Sequence, residues 1–180
     1  MDSYINVTNE SVEKEQKMRT ENHYRVRLVE ITAENLGDVC QLSNTLSDSQ
    51  KNCVASNAYS IAQAHYYPEK AWFRGIYLND QETPIGFIML DTVADDVPGE
   101  TEPCLFLWRF MIRKDFQNKG YGKEALDIVA EKFKAEGKKV FYTSCVVDEA
   151  EGPYPFYLRY GFIDTGMQED GEQILKMMLK

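Results

Sequence analysis

The stretch Cys104–Phe133, CLFLWRFMIRKDFQNKGYGKEALDIVAEKF, decides how this chain is read. Cys104–Ile112 is apolar except for Arg109 and reads as a buried, central β-strand. Gly122–Phe133 carries Leu126, Val129, Ala130 and Phe133 on one side, the pattern of a helix packed on a sheet. Between them, Gln117-Asn118-Lys119-Gly120-Tyr121-Gly122 forms the turn that opens the helix. A helix N-terminus offers unpaired N–H groups and a partial positive charge, both suited to phosphate oxygens. Gly120 and Gly122 remove the Cβ atoms that would keep a pyrophosphate from the main chain. Charge agrees with this reading. Arg113–Lys139 holds eight Lys/Arg against five Asp/Glu, a local +3, whereas the whole chain has 20 Lys+Arg against 29 Asp+Glu, a net −9.

Working outward, Tyr24–Ile31 alternates apolar and polar residues like a half-buried strand. Thr32 starts a helix with Leu36, Val39, Cys40 and Leu42 on one face. Ser43–Ser60 is rich in Ser and Asn, and Val54–Ala64 is a candidate second helix. Trp72–Leu78 and Ile85–Asp91 form a hairpin about the turn Asn79–Pro84. Asp95–Pro103 is an acidic loop. After the central helix come a strand over Lys139–Val147 and a short helix over Pro155–Tyr160 closed by Gly161. The strands Phe162–Thr165 and Gln173–Leu179 finish the chain. This order predicts an α/β (α+β) fold with a mixed sheet, because a strand–helix–strand crossover sits beside hairpins. Residues 1–22 are polar and without period, and are expected to form a flexible extension to a single domain over 23–180.

A chain of 180 residues with 43% hydrophobic residues is long and apolar enough for one domain with a proper core. The net charge of −9 argues against nucleic acid or anionic membrane as partners. It leaves a cationic small molecule, or an anionic ligand held by a local basic patch. No apolar run is long enough to span a bilayer, and the N-terminus has no apolar signal region. Cys40, Cys53, Cys104 and Cys145 are widely spaced, and two histidines leave a zinc site hard to assemble, so no metal is expected. A reducing cytoplasm fits best.

Three readings of the glycine turn compete. Two glycines before an amphipathic helix are by themselves ordinary. Gly120–Ala125 matches G-x-G-x-x-A, the dinucleotide fingerprint, but seven residues (113–119) separate it from the strand and the remaining chain is too short to complete that fold. No Walker loop is present. The third reading is a resemblance. Arg109-Phe110-Met111-Ile112 followed by Gln117–Gly122 resembles motif A of the GNAT N-acetyltransferase superfamily, [QR]-x-x-G-x-[GA] after a central strand. Tyr154–Phe162 (YPFYLRYGF) is similar to its motif B, F-Y-x-x-x-G-F. The resemblance covers Tyr24 to Leu179. Ile61–Gly75 and Trp108–Met111 look most like bacterial spermine/spermidine-type acetyltransferases.

The resemblance implies a mostly antiparallel sheet of six to seven strands with flanking helices, and direct acetyl transfer from acetyl-CoA to a primary amine in a ternary complex. Phe110, Met111 and Ile112 would hold the pantetheine arm, with a main-chain N–H, that of Met111, polarising the thioester carbonyl. N–H groups of Asn118, Lys119, Gly120, Tyr121, Gly122 and Lys123 would cradle the pyrophosphate, while Gln117 shapes the turn. Tyr157 matches the family tyrosine that faces the CoA sulfur, with Tyr154 and Tyr160 as neighbours of the same type. No residue identifies itself as the base. Two departures stand out: Arg109 precedes the oxyanion position, where polyamine enzymes place carboxylates, and Asp148–Pro153 lacks the Asn with which many relatives contact CoA.

The carboxylates Asp91, Asp95, Asp96, Glu100 and Glu102 form either a solvated surface or an electronegative mouth for a polycation. Tyr66, Trp72 and Phe73 are either aromatic walls for an ammonium chain or residues of the core and of a homodimer contact. The leading expectation is thus an N-acetyltransferase acting on a small, polyamine-like cationic amine. The alternatives are an aminoglycoside or protein-amine acetyltransferase, and a non-catalytic acyl-CoA-binding regulatory domain.

Overall fold

The computed structural model describes residues 23–147 and 151–179. The extension expected over residues 1–22, and residues 148–150 of the acidic turn, lie outside the described residues. The elements run β1 (Val26–Val29), α1 (Leu36–Gln41), a 3₁₀ turn (Leu42–Thr45), α2 (Asp48–Cys53), α3 (Asn57–Ala64), β2 (Ala71–Leu78), β3 (Pro84–Ala94) and β4 (Cys104–Ile112). A second 3₁₀ turn (Lys114–Phe116), α4 (Tyr121–Ala135), β5 (Val140–Cys145), α5 (Tyr154–Tyr160), β6 (Ile163–Glu169) and β7 (Glu172–Met178) follow.

The strands form one seven-stranded sheet in the order β1-β2-β3-β4-β5-β7-β6. Every pairing is antiparallel except β4 with β5, which are joined through α4. That is the expected mixed, mostly antiparallel architecture. The boundaries of β4 match the apolar run read from sequence, since both of its neighbours demand apolar faces. One core packs Leu105, Leu107, Leu126, Val129 and Phe141 between the sheet and α4. A second, on the opposite face, gathers Val39, Leu42, Phe87, Met89 and Met111 under α1 and α3. Burying each such side chain stabilises the fold by about 1.5–3 kcal/mol.

The serine-rich segment that sequence left open contains two short helices. Ser47 caps α2 with a capping box completed by Gln50, and Ser56 caps α3 through Tyr59 N. Buried Asn57 pins α3 to α1 by donating from Nδ2 to Val39 O at 2.8 Å. Among the described residues, no helix is long and apolar enough to cross a membrane.

Candidate active site

The site begins with a mismatch in strand pairing. β3 follows β4 as far as Ile112, but β5 pairs with β4 only at Leu105, Phe106 and Leu107. Beyond Leu107 the two parallel strands separate, and Thr143 marks the fork by donating from Oγ1 to Leu107 O at 3.2 Å. The register against β3 slips at the same place, Met89 facing Arg109 and Leu90 facing Leu107, so Trp108 is the extra residue of a β-bulge. A cleft of about 970 Å³ opens there.

The bulge sets which main-chain groups face the cleft. Along a strand, successive residues turn N–H and C=O to opposite sides. Leu107 faces β5, so an uninterrupted strand would turn Met111 the same way. Instead Arg113 N donates to Ile85 O of the β3 end at 2.8 Å, and a Cβ on Gly86 would lie 2.6 Å from Met111 O. Ile112 O faces the other way and accepts from Gln117 Nε2 at 2.8 Å. Met111 therefore spends its N–H on β3, and the N–H aimed into the cleft is that of Phe110. The expectation that Met111 supplies the polarising N–H is corrected by one residue. Its side chain lines the cleft floor and receives the Asn57 amide at 3.8 Å from sulfur.

Beyond Ile112 the chain turns through Gln117–Gly122 into α4. Asn118 (φ 60°) and Gly120 (φ 88°) are both left-handed, which points consecutive N–H groups to one side as an anion-binding nest. At φ 88° an L side chain on Gly120 would be strained, and its Cβ would also meet Arg25 Nη2 at 3.0 Å. At Gly122 the nearest atoms, on Ile112, Phe110 and Phe156, lie at 3.5 Å, an ordinary contact. Arg25 buttresses the turn from beyond β1. Its Nε and Nη2 reach Glu124 and Lys119 O at 2.7 and 2.9 Å, and its guanidinium covers Tyr121. Gln117 also exchanges hydrogen bonds with Gln50 of α2, which ties that helix to the turn.

Of the residues expected at a cofactor site, Phe110, Met111, Ile112, Gln117 and Asn118 line the cleft, as do Gly120, Gly122 and Lys123. Lys119 and Tyr121 do not. Lys119 sits over the Phe116 ring, and Tyr121 lies beneath Arg25.

On the opposite wall, α5 is capped by Pro153 before its first turn and by Gly161 after its last. It projects Tyr157 into the fork, 5% exposed, against Phe156 and Phe162. Burial raises the Tyr157 phenol well above its ordinary value, and the Thr143 hydroxyl beside it opposes that shift in part. Tyr154 instead donates to Asp164 at 2.7 Å, and Tyr160 is bonded to Asp127. Position thus separates three adjacent tyrosines.

Sequence reasoning missed Glu172, which lines the cleft at the start of β7 and accepts from Ser144 Oγ. No local signal marks it, because it arrives from a strand distant in sequence. The acidic loop has another place. None of the carboxylates Asp91, Asp95, Asp96, Glu100 and Glu102 lines the cleft: Asp91 lies in β3 opposite Phe106, Asp95 pairs with Lys70, and Glu100 pairs with Lys176 toward the start of β4. Trp72 packs edge-on against Phe133, and Tyr66 is 79% exposed away from the cleft. The cleft lining carries Lys51, Arg109, Lys114, Lys123 and Arg159 against Glu151 and Glu172, a positive balance inside an acidic protein.

Comparison with known proteins accords with this geometry. The sequence profile described as "Acetyltransferase (GNAT) family" matches residues 41–162. The chain belongs to the GNAT acetyltransferase family. Among solved structures, this acetyltransferase is similar to a PaiA N-acetyltransferase from Thermoplasma acidophilum in complex with coenzyme A. That likeness has a TM-score of 0.62 at 16% identity, over 86% of this chain and 99% of that one. It is similar too to the microcin C7 self-immunity acetyltransferase MccE in complex with acetyl-CoA and AMP (TM-score 0.65, 18% identity, 87% and 93% covered). A third is the ribosomal-protein-S18-alanine N-acetyltransferase of Escherichia coli (0.60, 13%, 86% and 94%). At these identities the likeness is one of fold. Among curated protein sequences, none matches this chain.

Proposed function

We propose that this acetyltransferase moves the acetyl group of acetyl-CoA to a primary amine of a small acceptor by direct attack. The observation that carries the reading is the fork between β4 and β5, with a glycine nest on one side and Tyr157 on the other. The residues suit CoA: the nest and the cationic lining match a pyrophosphate, and the edge of β4 at Phe110, which no strand covers, matches the amides of a pantetheine arm. Acetyl-CoA supplies an activated thioester when bound.

In this reading the nest around Gly120 holds the pyrophosphate, and Gln117 keeps the turn in register with β4. Phe110 N–H faces the thioester carbonyl and stabilises the negative charge that develops on its oxygen. Glu172 accepts the proton that an ammonium must lose before its nitrogen attacks. As the C–N bond forms and the C–S bond breaks, Tyr157 donates a hydrogen bond to the departing sulfur. A free thiol ionises at about 8.5 and a phenol at about 10, and burial raises Tyr157 further, so it stays protonated. The proton released from the amine nitrogen balances the one gained by sulfur.

A polyamine-like acceptor of the spermine/spermidine type is supported by the net charge of −9 alone, since the acidic loop stands apart from the cleft. Cys40, Cys104 and Cys145 stand as thiols, which suits a reducing, cytoplasmic setting. The test is release of CoA thiol from acetyl-CoA across diamines, spermidine, aminoglycosides, amino acids and peptides. Turnover with any amine supports catalysis. Tight CoA binding without amine-stimulated release would make the protein an acyl-CoA-binding regulatory domain instead.

A further inference from the structure

Arg109 is the costliest cation in the cleft, and nothing described in the protein neutralises it. It sits at the bulge where β4 leaves β5 and lines the cleft on the side of α2 and α3. The opposite side, around Gly122 and Phe156, belongs to the proposed CoA site. Its Nη1 donates to the carbonyl of its neighbour Trp108 at 2.7 Å, and Nη2 reaches Gln63 Oε1 at 3.3 Å. Its Nε is buried without a partner. Among the described residues no carboxylate lies within ion-pair distance of it, whereas Arg25, Arg27, Arg74 and Arg113 each have one. Burial lowers its pKa, and Glu172 opposes that shift only through space.

A half-buried guanidinium with an idle Nε edge is an incomplete fork, because arginine meets a carboxylate with two parallel N–H···O bonds. An unpaired polar group of this kind lowers stability unless something that binds completes it. The surroundings identify the occupant. Arg109 lies over the aromatic face of Trp108, Lys51 lines the same cleft, and Glu172 enters it from β7 with its carboxylate held by Ser144. The cleft therefore offers a cationic pole and a separate anionic pole. A polycation would meet Arg109 as a like charge.

We propose that the acceptor is a zwitterionic small amine, its amino group lying toward Glu172 and Tyr157 and its carboxylate completing the Arg109 fork. This rests on the acetyltransferase reading and replaces its polyamine-like acceptor with an amino-acid-like one.

The test uses the full chain with acetyl-CoA and measures kcat/KM for matched sets: free amino acids including β-alanine and γ-aminobutyrate, their carboxamides, and the diamines putrescine and spermidine. A free amino acid should be the best acceptor, at least about 10-fold better than its amide. Arg109→Gln should raise KM for that amino acid by about 30- to 100-fold and leave the amide within about threefold. Arg109→Lys should recover part of the loss. Unchanged acetyl-CoA affinity in both variants shows that the fold is retained. Turnover of diamines with no preference for a carboxylate, or equal losses for acid and amide in Arg109→Gln, would overturn the proposal and leave acetyl transfer standing. CoA binding without turnover of any amine would overturn both.

Discussion

The two halves of β4 have similar composition and opposite fates. Leu105–Leu107 is paired on both edges, and Leu105 and Leu107 are buried in the core. Arg109–Ile112 is paired on one edge only and, with the bulged Trp108, lines the cleft. One bulged residue divides them. It turns Phe110 rather than Met111 toward the cleft, and it releases β5 to leave room for a ligand. The site is made by withholding a strand partner, so its key groups are main-chain atoms whose identity no side chain reports.

The largest effect is expected in the closed half. Leu105→Ala removes a fully buried side chain from the main core and should cost about 3–4 kcal/mol in urea unfolding, with kcat within about twofold of the parent. A large loss of kcat with stability intact would erase the distinction between the halves. In the open half, Gly120→Val forces a β-branched residue to φ 88° against Arg25. Acetyl-CoA affinity by calorimetry should fall by about 100-fold, and tight binding would refute the main-chain cradle. Tyr157→Phe should lower kcat by about 30-fold with acetyl-CoA affinity unchanged, and an unaltered kcat removes Tyr157 from the chemistry.

A pH series sharpens the same contrast. Cys145 is buried and its thiol is pushed up to about 12, and the Tyr157 phenol is also raised. Both bind their protons more tightly folded than unfolded, so their contribution is complete below about pH 9 and is lost as pH rises toward about 12. Urea midpoints should be flat from neutrality to about pH 9 and fall above it, and a flat profile to pH 12 would contradict the burial of these groups. The smallest effect is expected at Gly122→Ala, whose added Cβ meets only ordinary contacts. Acetyl-CoA affinity should change by less than about threefold, whereas a loss as large as that of Gly120→Val would show that the approach at Gly122 is equally tight.

Much of this was legible in the chain. The apolar run of β4, the glycine turn and the Pro–Gly frame of α5 are local signals, and the elements fall where those signals place them. The capping box Ser47–Gln50 was also local, and it defines a helix in the Ser- and Asn-rich stretch before the candidate helix Val54–Ala64. The bulge at Trp108 was not legible, because it is a register relation between β3 and β4 that no residue pattern in either strand specifies. The same holds for Glu172 and Gln50, brought to the cleft by tertiary pairing. The acidic loop shows the converse. Its charge is plain in sequence, but its distance from the cleft depends on where β4 begins.

The central claim, that the open half of β4 and the turn after it form the acetyl-CoA site, is tested most directly by amide hydrogen exchange with and without acetyl-CoA. Added acetyl-CoA should protect peptides covering residues 108–123 and 153–159, and leave those covering 104–107 and 163–169 unchanged. Saturating acetyl-CoA without protection across 108–123 would contradict the account.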